Sequence, residues 1–216
     1  MGRCFALGRD GCDGEVTRLA RAVLSSGGVA VIPTETVYGL ALDPFACPGP
    51  DALFLIKRRS RELAIPWLVS GASALDVFAR DVPGYARTLV RAFWPGALTV
   101  VVKASDAVPA PYRAADATIA LRAPDEPFVQ SLFADAASAL CTTSANTHGA
   151  PPPCSTDELE PRIARLASLV VDGGPTLFRE PSTIVSCTGP VPVVVREAAL
   201  SAADVFGVVH HGDSSR

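Results

Sequence analysis

Lysine is almost missing from this chain: of 19 basic residues in 216, only Lys57 and Lys103 are lysines and the rest are arginines. Such a skew is what genomic base composition imposes, and it makes each lysine worth separate attention. Histidine is equally scarce, with His148 the only one ahead of the terminal His210 and His211. A lone loop histidine reads as a surface residue rather than a metal ligand or base. The six cysteines, at 4, 12, 47, 141, 154 and 187, form no C-x-x-C pair, which excludes a zinc ribbon or a dithiol redox motif.

No apolar run approaches the ~20 residues that cross a bilayer. The segment Met1 to Gly14 carries Arg3, Arg9 and Asp10 without a continuous apolar stretch, so it does not read as a secretory signal. The expectation is a cytoplasmic protein with no membrane partner. A net charge of −3 excludes a global attraction to nucleic acid or anionic lipid and leaves room for a local basic groove. The P-loop is absent, and Gly8, Gly11 and Gly14 are spaced three apart with no strand before them, so they make no dinucleotide fingerprint. G-x-S-x-G, S-x-x-K and H-E-x-x-H are missing too.

What is present describes a globular domain: 49% of residues are hydrophobic and 19% charged. Val16, Leu19, Ala20, Val23 and Leu24 fall at helical spacing within 14–26, before Gly27-Gly28. VAVIP (29–33) reads as a buried strand ended by proline. Helices are expected at 52–59, 74–81, 85–94, 126–136 and 156–168, and a last one near 201–206. Strands are expected at 65–70, 97–105, 118–124, 139–146, 168–174, 182–187 and 191–198. Interleaved helices and strands without a repeat or linker place the chain in the α/β class with a mixed sheet.

Small polar residues gather where these strands end: Thr34-Glu35-Thr36 after VAVIP, Thr142 to Asn146 in TTSAN, and Ser182-Thr183 before IVSC. Singly they are turn and cap residues. Together they can converge on a ligand outside the sheet. Lys57, Arg58 and Arg59 with Ser60 close a helical stretch, while Arg122 and Arg196 close apolar runs, where a guanidinium can fork onto a carboxylate or phosphate.

In order along the chain, PTETVYGLALD (33–43), KRRS (57–60), WPGALTVVV (94–102), TIALRAP (118–124), TTSANTHG (142–149), VDGG (171–174), STIV (182–185) and VVVRE (193–197) resemble the YrdC/Sua5 family of threonylcarbamoyl-AMP synthases. The resemblance covers 14–206, leaving 1–13 as an N-terminal extension and 207–216 as a flexible tail, too short for the extra C-terminal domain of some relatives. It implies an open, twisted mixed sheet of the YrdC-like type with flanking helices and a concave, positively charged face.

It further implies that L-threonine, bicarbonate or CO2, and ATP are joined into threonylcarbamoyl-AMP with loss of pyrophosphate, on the route to N6-threonylcarbamoyladenosine at position 37 of tRNA. Mg2+ would accompany ATP, with no protein side chain as its ligand. By match to the family's motifs, Lys57, Arg59, Ser60, Ser144, Asn146 and Arg196 would bind ATP. Thr34, Arg122, Thr142 and Ser182 would surround threonine, and Thr36, Tyr38 and Thr118 would shape the pocket. The partners implied are tRNA or double-stranded RNA and downstream threonylcarbamoyl-transferring proteins.

Two other readings stand beside this one: a divergent paralogue making another carbamoyl adenylate, and a non-catalytic RNA-binding module. The sequence also departs from the family pattern. Ser60 replaces a proline, Ile65-Pro66-Trp67 replaces a Pro-Leu context, Ser70 stands where some relatives have histidine, and Ala198 stands where they have glycine. Lys103 matches no motif.

Overall fold

A computed structural model describes residues 3–8, 13–58 and 65–213. The strands are β1 (Arg3–Ala6), β2 (Ala30–Ile32), β3 (Gly39–Leu42), β4 (Trp67–Val69), β5 (Ala79–Arg80), β6 (Leu98–Ala104), β7 (Thr118–Arg122), β8 (Ala139–Ser144), β9 (Leu169–Asp172), β10 (Thr183–Ser186) and β11 (Val193–Arg196). The helices are α1 (Gly14–Ser25), α2 (Asp51–Lys57), α3 (Ala74–Phe78), α4 (Gly84–Phe93), α5 (Pro127–Leu132), α6 (Pro161–Leu166) and α7 (Ala202–Asp213).

One sheet runs β1-β9-β2-β3-β8-β4-β7-β6-β10-β11, with β5 paired to β6 off the path. It is mixed: β1/β9, β2/β9, β4/β7 and β6/β10 are parallel, whereas β2/β3, β3/β8, β4/β8, β6/β7 and β10/β11 are antiparallel. The sheet stays open between its edge strands β1 and β11.

Alternation along each strand divides the apolar residues between two faces. Val31, Leu40, Leu42, Trp67, Val69, Leu98, Val100 and Leu121 point to one core, which α2, α3, α4, α6 and α7 complete with Leu53, Leu75, Leu89, Ile163 and Val205. Their neighbours Ile32, Ala41, Leu68, Leu140 and Val171 point to the other face, against Val16, Ala20 and Leu24 of α1 and Phe128 of α5. These two helices reach from β9 to β4. On the same face beyond them, β6, β7 and β10 present Thr99, Arg122 and Ile184 to a cavity instead of a helix.

Several elements differ from the pattern of the sequence. Segment 3–6, expected outside the domain, pairs in parallel with β9. The helix expected over 156–168 splits into a single turn at Thr156–Glu158 and α6, because Pro161 supplies no N–H and starts the helix afresh. The last helix continues to Asp213. Lys103 pairs with Asp81 at 3.4 Å beside Arg80, an exposed contact at the β5–β6 hairpin. Such pairs contribute about 1 kcal/mol or less.

Candidate active site

The cavity has a volume of about 340 Å3, and among the described residues its lining contains no aspartate or glutamate. Of the thirteen residues expected at the site, ten line it: Thr34, Thr36, Tyr38, Lys57, Arg122, Thr142, Ser144, Asn146, Ser182 and Arg196. Arg59 and Ser60 lie outside the described residues. Thr118 does not line the cavity. It sits four residues before Arg122 on β7, ~13 Å back along the strand, where its hydroxyl donates to Asp116 Oδ1 at 2.6 Å.

Proline after β2 stops the strand, and Thr34 ties the following turn together. Its Oγ1 donates to the Val37 carbonyl at 2.7 Å and accepts from the amides of Thr36 and Val37, both at 3.2 Å. The Thr34 and Thr36 hydroxyls are 2.8 Å apart, and Arg122 Nη1 donates to Thr36 Oγ1 at 2.8 Å. Because the Thr34 proton is already committed to Val37, Thr36 donates to Thr34 and accepts from Arg122. The result is a directed chain from guanidinium to hydroxyl to hydroxyl to carbonyl.

Arg122 also donates from Nε to the Gly96 carbonyl at 3.1 Å, and its Nη2 lies 2.7 Å from Glu35 Oε2. Nη2 and Oε2 are both buried and meet each other in this ion pair. Glu35 is anchored by its other atoms: Oε1 accepts from the Asp125 amide at 3.0 Å and its carbonyl accepts from the Phe178 amide at 2.9 Å. A guanidinium offers five N–H donors, so Arg122 keeps donors for a ligand in the cavity.

At the other end, the Lys57 ammonium is buried. It donates to the carbonyls of Ser144 and Asn146 and, at 2.9 Å, to Asn146 Oδ1. The Asn146 amide nitrogen donates onward to the carbonyls of Thr147 and Ala150. A lysine expected to face phosphate is thus turned first onto the SAN turn, whose outward-facing carbonyls demand a donor in a buried place. Ser144 is half-buried beside it, its hydroxyl 3.3 Å from the ammonium.

Ser182 and Arg196 form the third wall. The Ser182 hydroxyl is 2.8 Å from that of Thr99, and its carbonyl accepts from Arg196 Nε at 3.1 Å and Nη2 at 2.7 Å. Burial, and then the nearby positive charge of Arg122, push the Arg196 pKa down, although an arginine remains charged. Thr183 holds the turn behind them, donating to the Leu200 carbonyl at 2.6 Å and accepting from the Ala198 amide at 3.0 Å.

Tyr38 closes the base. Its hydroxyl donates to the Gly174 carbonyl at 2.7 Å and accepts from the Gly173 amide at 3.0 Å, while burial raises its pKa well above the usual range. Gly39 lets β8 come close, since a Cβ there would stand 2.7 Å from Thr142 Cγ2.

Three contributors are not among the thirteen candidate site residues. Glu35 belongs to the Thr34-Glu35-Thr36 group without a role of its own, Thr99 lies within the apolar run 97–105, and His148 reads as a surface residue; His148 in fact lines the cavity. Alternation within 97–105 was the available signal for Thr99. The departures at 65–67 resolve by the same rule. Pro66 and Leu68 face the cavity, whereas Ile65 and Trp67 are buried in the opposite core. Ser70 and Ala198 do not line the cavity.

An open α/β sheet whose uncovered half holds a pocket lined, among the described residues, by hydroxyls, one amide and three cations and by no acid defines a domain for small anionic ligands. Residues 22–198 match the Sua5/YciO/YrdC family model, described as "Telomere recombination", and the chain belongs to that family. A Mycobacterium tuberculosis relative, provisionally named a threonylcarbamoyl-AMP synthase, is 33% identical over 192 residues, covering 88% of each chain. A Bacillus subtilis relative named threonylcarbamoyl-AMP synthase is 30% identical over 88% of this chain and 55% of its own length. The solved structure of Pyrococcus abyssi Sua5 complexed with L-threonine is 26% identical with a TM-score of 0.85, over 96% of this chain and 60% of that one.

Proposed function

We propose that this protein is an L-threonylcarbamoyladenylate synthase, a nucleotidyltransferase that joins L-threonine, bicarbonate or CO2, and ATP. The observation that carries the reading is Arg122: a buried guanidinium that lines the cavity and is held in place by Glu35, Gly96 and Thr36, in a pocket that also holds Arg196 and Lys57. An amino acid carboxylate would pair with the remaining donors of Arg122, and a polyphosphate would occupy the rest of the cationic lining.

In this reading Thr34, Arg122, Thr142 and Ser182 surround threonine. Arg122 takes the carboxylate, and the directed Thr36-Thr34 chain fixes the guanidinium. The threonine amine adds to CO2 and loses a proton, or condenses with bicarbonate and loses water, giving a carbamate. A carbamate oxygen then attacks the α-phosphorus of ATP. The new P–O bond forms as the bond to the bridging oxygen breaks, and pyrophosphate leaves with that electron pair.

Both attacking groups belong to substrates, so the chain supplies position and charge rather than a covalent nucleophile. Arg196 and Ser144 face the nucleotide, joined by Arg59 and Ser60. Lys57 and Asn146 hold the turn that presents Ser144. Among the described residues the wall offers hydroxyls but no carboxylate, which suits a Mg2+ that enters on the triphosphate and keeps water ligands. The product would pass to a threonylcarbamoyl-transferring partner that modifies tRNA. Among the described residues no helix is long and apolar enough to cross a membrane, and we place the activity in the cytoplasm.

The test incubates purified protein with MgATP, radiolabelled bicarbonate and L-threonine and looks for labelled threonylcarbamoyl-AMP with equimolar pyrophosphate. Product with carbamoyl phosphate but none with threonine would replace this reading by the carbamoyl-adenylate paralogue. Absence of both products with RNA retained at physiological salt would favour a binding module.

A further inference from the structure

The imidazole of the cavity, His148, is used in no step above. His148 lines the cavity together with Lys57, Ser144, Asn146 and Arg196, at the end assigned to the nucleotide. Its side chain is exposed, yet its backbone is held on both sides. The His148 amide donates to the Lys57 carbonyl at 2.9 Å, at the C-terminus of α2. One residue earlier, the Thr147 amide and hydroxyl both donate to the Glu160 carboxylate at 2.6 Å, and Arg162 Nη2 donates to Thr147 Oγ1 at 2.7 Å. The turn closes with Ala150 N to Thr147 O at 3.0 Å, and Gly149 adopts φ +85° as such a turn requires.

We propose that His148 is a further nucleotide-contacting residue, whose imidazole donates to a phosphate oxygen of the bound triphosphate. The inference rests on the synthase reading for the identity of its ligand. Three observations on the page lead to it. Among the described residues the lining has no carboxylate to compete for an imidazole N–H. The Lys57 ammonium donates to the SAN turn, so a donor beside Ser144 and Arg196 suits the charge of a triphosphate there. The anchored turn brings the imidazole to the mouth on a backbone tied to α2 and α6.

Glu160, an acid beside this turn, is spent on Thr147, and that hydrogen bonding holds its carboxyl below the usual range.

The test titrates MgATP into wild type and His148→Gln by calorimetry, with L-threonine titrated in parallel. Expected is an MgATP affinity about threefold to tenfold weaker in His148→Gln than in wild type, the range of one net hydrogen bond. Threonine affinity should be unchanged by the substitution. Equal MgATP affinity in the two proteins would overturn the role of His148 alone. Absence of ATP binding by wild type would overturn this proposal and the synthase reading together. Thermal melting of His148→Gln, expected to match wild type because the side chain is exposed, separates a binding defect from misfolding.

Discussion

Glu35 Oε2 and Arg122 Nη2 stand 2.7 Å apart behind the cavity, with 4% and 8% of their side chains exposed. A buried pair of this kind is costly to break and cheap to replace. Removing one member strands a charge, at about 3–5 kcal/mol, whereas an apolar pair of similar volume is often neutral. Glu35→Ala is expected to lose stability of that order in urea unfolding. The double variant Glu35→Met with Arg122→Met is expected to recover most of it while remaining inactive. Recovery of stability together with activity would show that the guanidinium has no part in binding.

Lys57 sets a second expectation. Lys57→Met keeps the apolar stem and removes the ammonium, leaving the Ser144 and Asn146 carbonyls and Asn146 Oδ1 without their donor. Stability should fall by about 2–4 kcal/mol, since each stranded buried acceptor costs about 1–3 kcal/mol. Synthase activity should fall by about 10²-fold as the Ser144 turn shifts. Chemical denaturation and pyrophosphate release measure the two effects. A variant with native stability and weakened ATP binding would reassign Lys57 to direct phosphate contact.

Gly39→Ala probes the threonine end. Its Cβ would press on Thr142 Cγ2 at 2.7 Å, and Thr142 can yield only toward the cavity or by spreading β3 from β8. Overpacking of this kind costs about 1–3 kcal/mol. KM for threonine should rise several-fold while KM for ATP changes little, as steady-state kinetics with each substrate varied would show.

The three tyrosines predict how the protein meets alkali. Burial raises the pKa of Tyr38 and Tyr112 far above the ordinary value of 10.0 and that of Tyr85 to about 12. The native state thus keeps protons that the unfolded chain releases near pH 10. This contribution to stability is fully present below pH 10 and declines as pH rises through 10 and beyond. Absorbance at 295 nm should register tyrosinate only together with the loss of far-ultraviolet ellipticity. Titration of all three near pH 10 in a folded protein would contradict the burial argument.

Local pattern carried much of this structure. The runs 29–33, 97–105, 118–124 and 139–146 declare β2, β6, β7 and β8 because apolar β-branched residues bounded by proline or polar residues have few alternatives. Gly39–Leu42 was not read as a strand: its Gly and Ala have weak strand preference, and its place between β2 and β8 comes from distant pairing. At the site, hydroxyls and arginines at strand ends were visible one by one. The commitment of Lys57 to residues 87 and 89 positions away was not, nor was the meeting of Glu35 with Arg122, because both contacts form only once the sheet brings separate strands together.

Strand β4 divides two kinds of change between alternate residues. Trp67 meets Phe45, Phe78 and Tyr112 edge-on at 5.8, 5.3 and 5.6 Å on the core side, while Pro66 and Leu68 form cavity floor. The chain can therefore carry an unusual residue such as tryptophan in the middle of its ligand-binding strand and leave the ligand's surroundings chemically ordinary. Divergence at odd-numbered positions here is a matter of how firmly the protein folds, and divergence at even-numbered ones is a matter of what it binds.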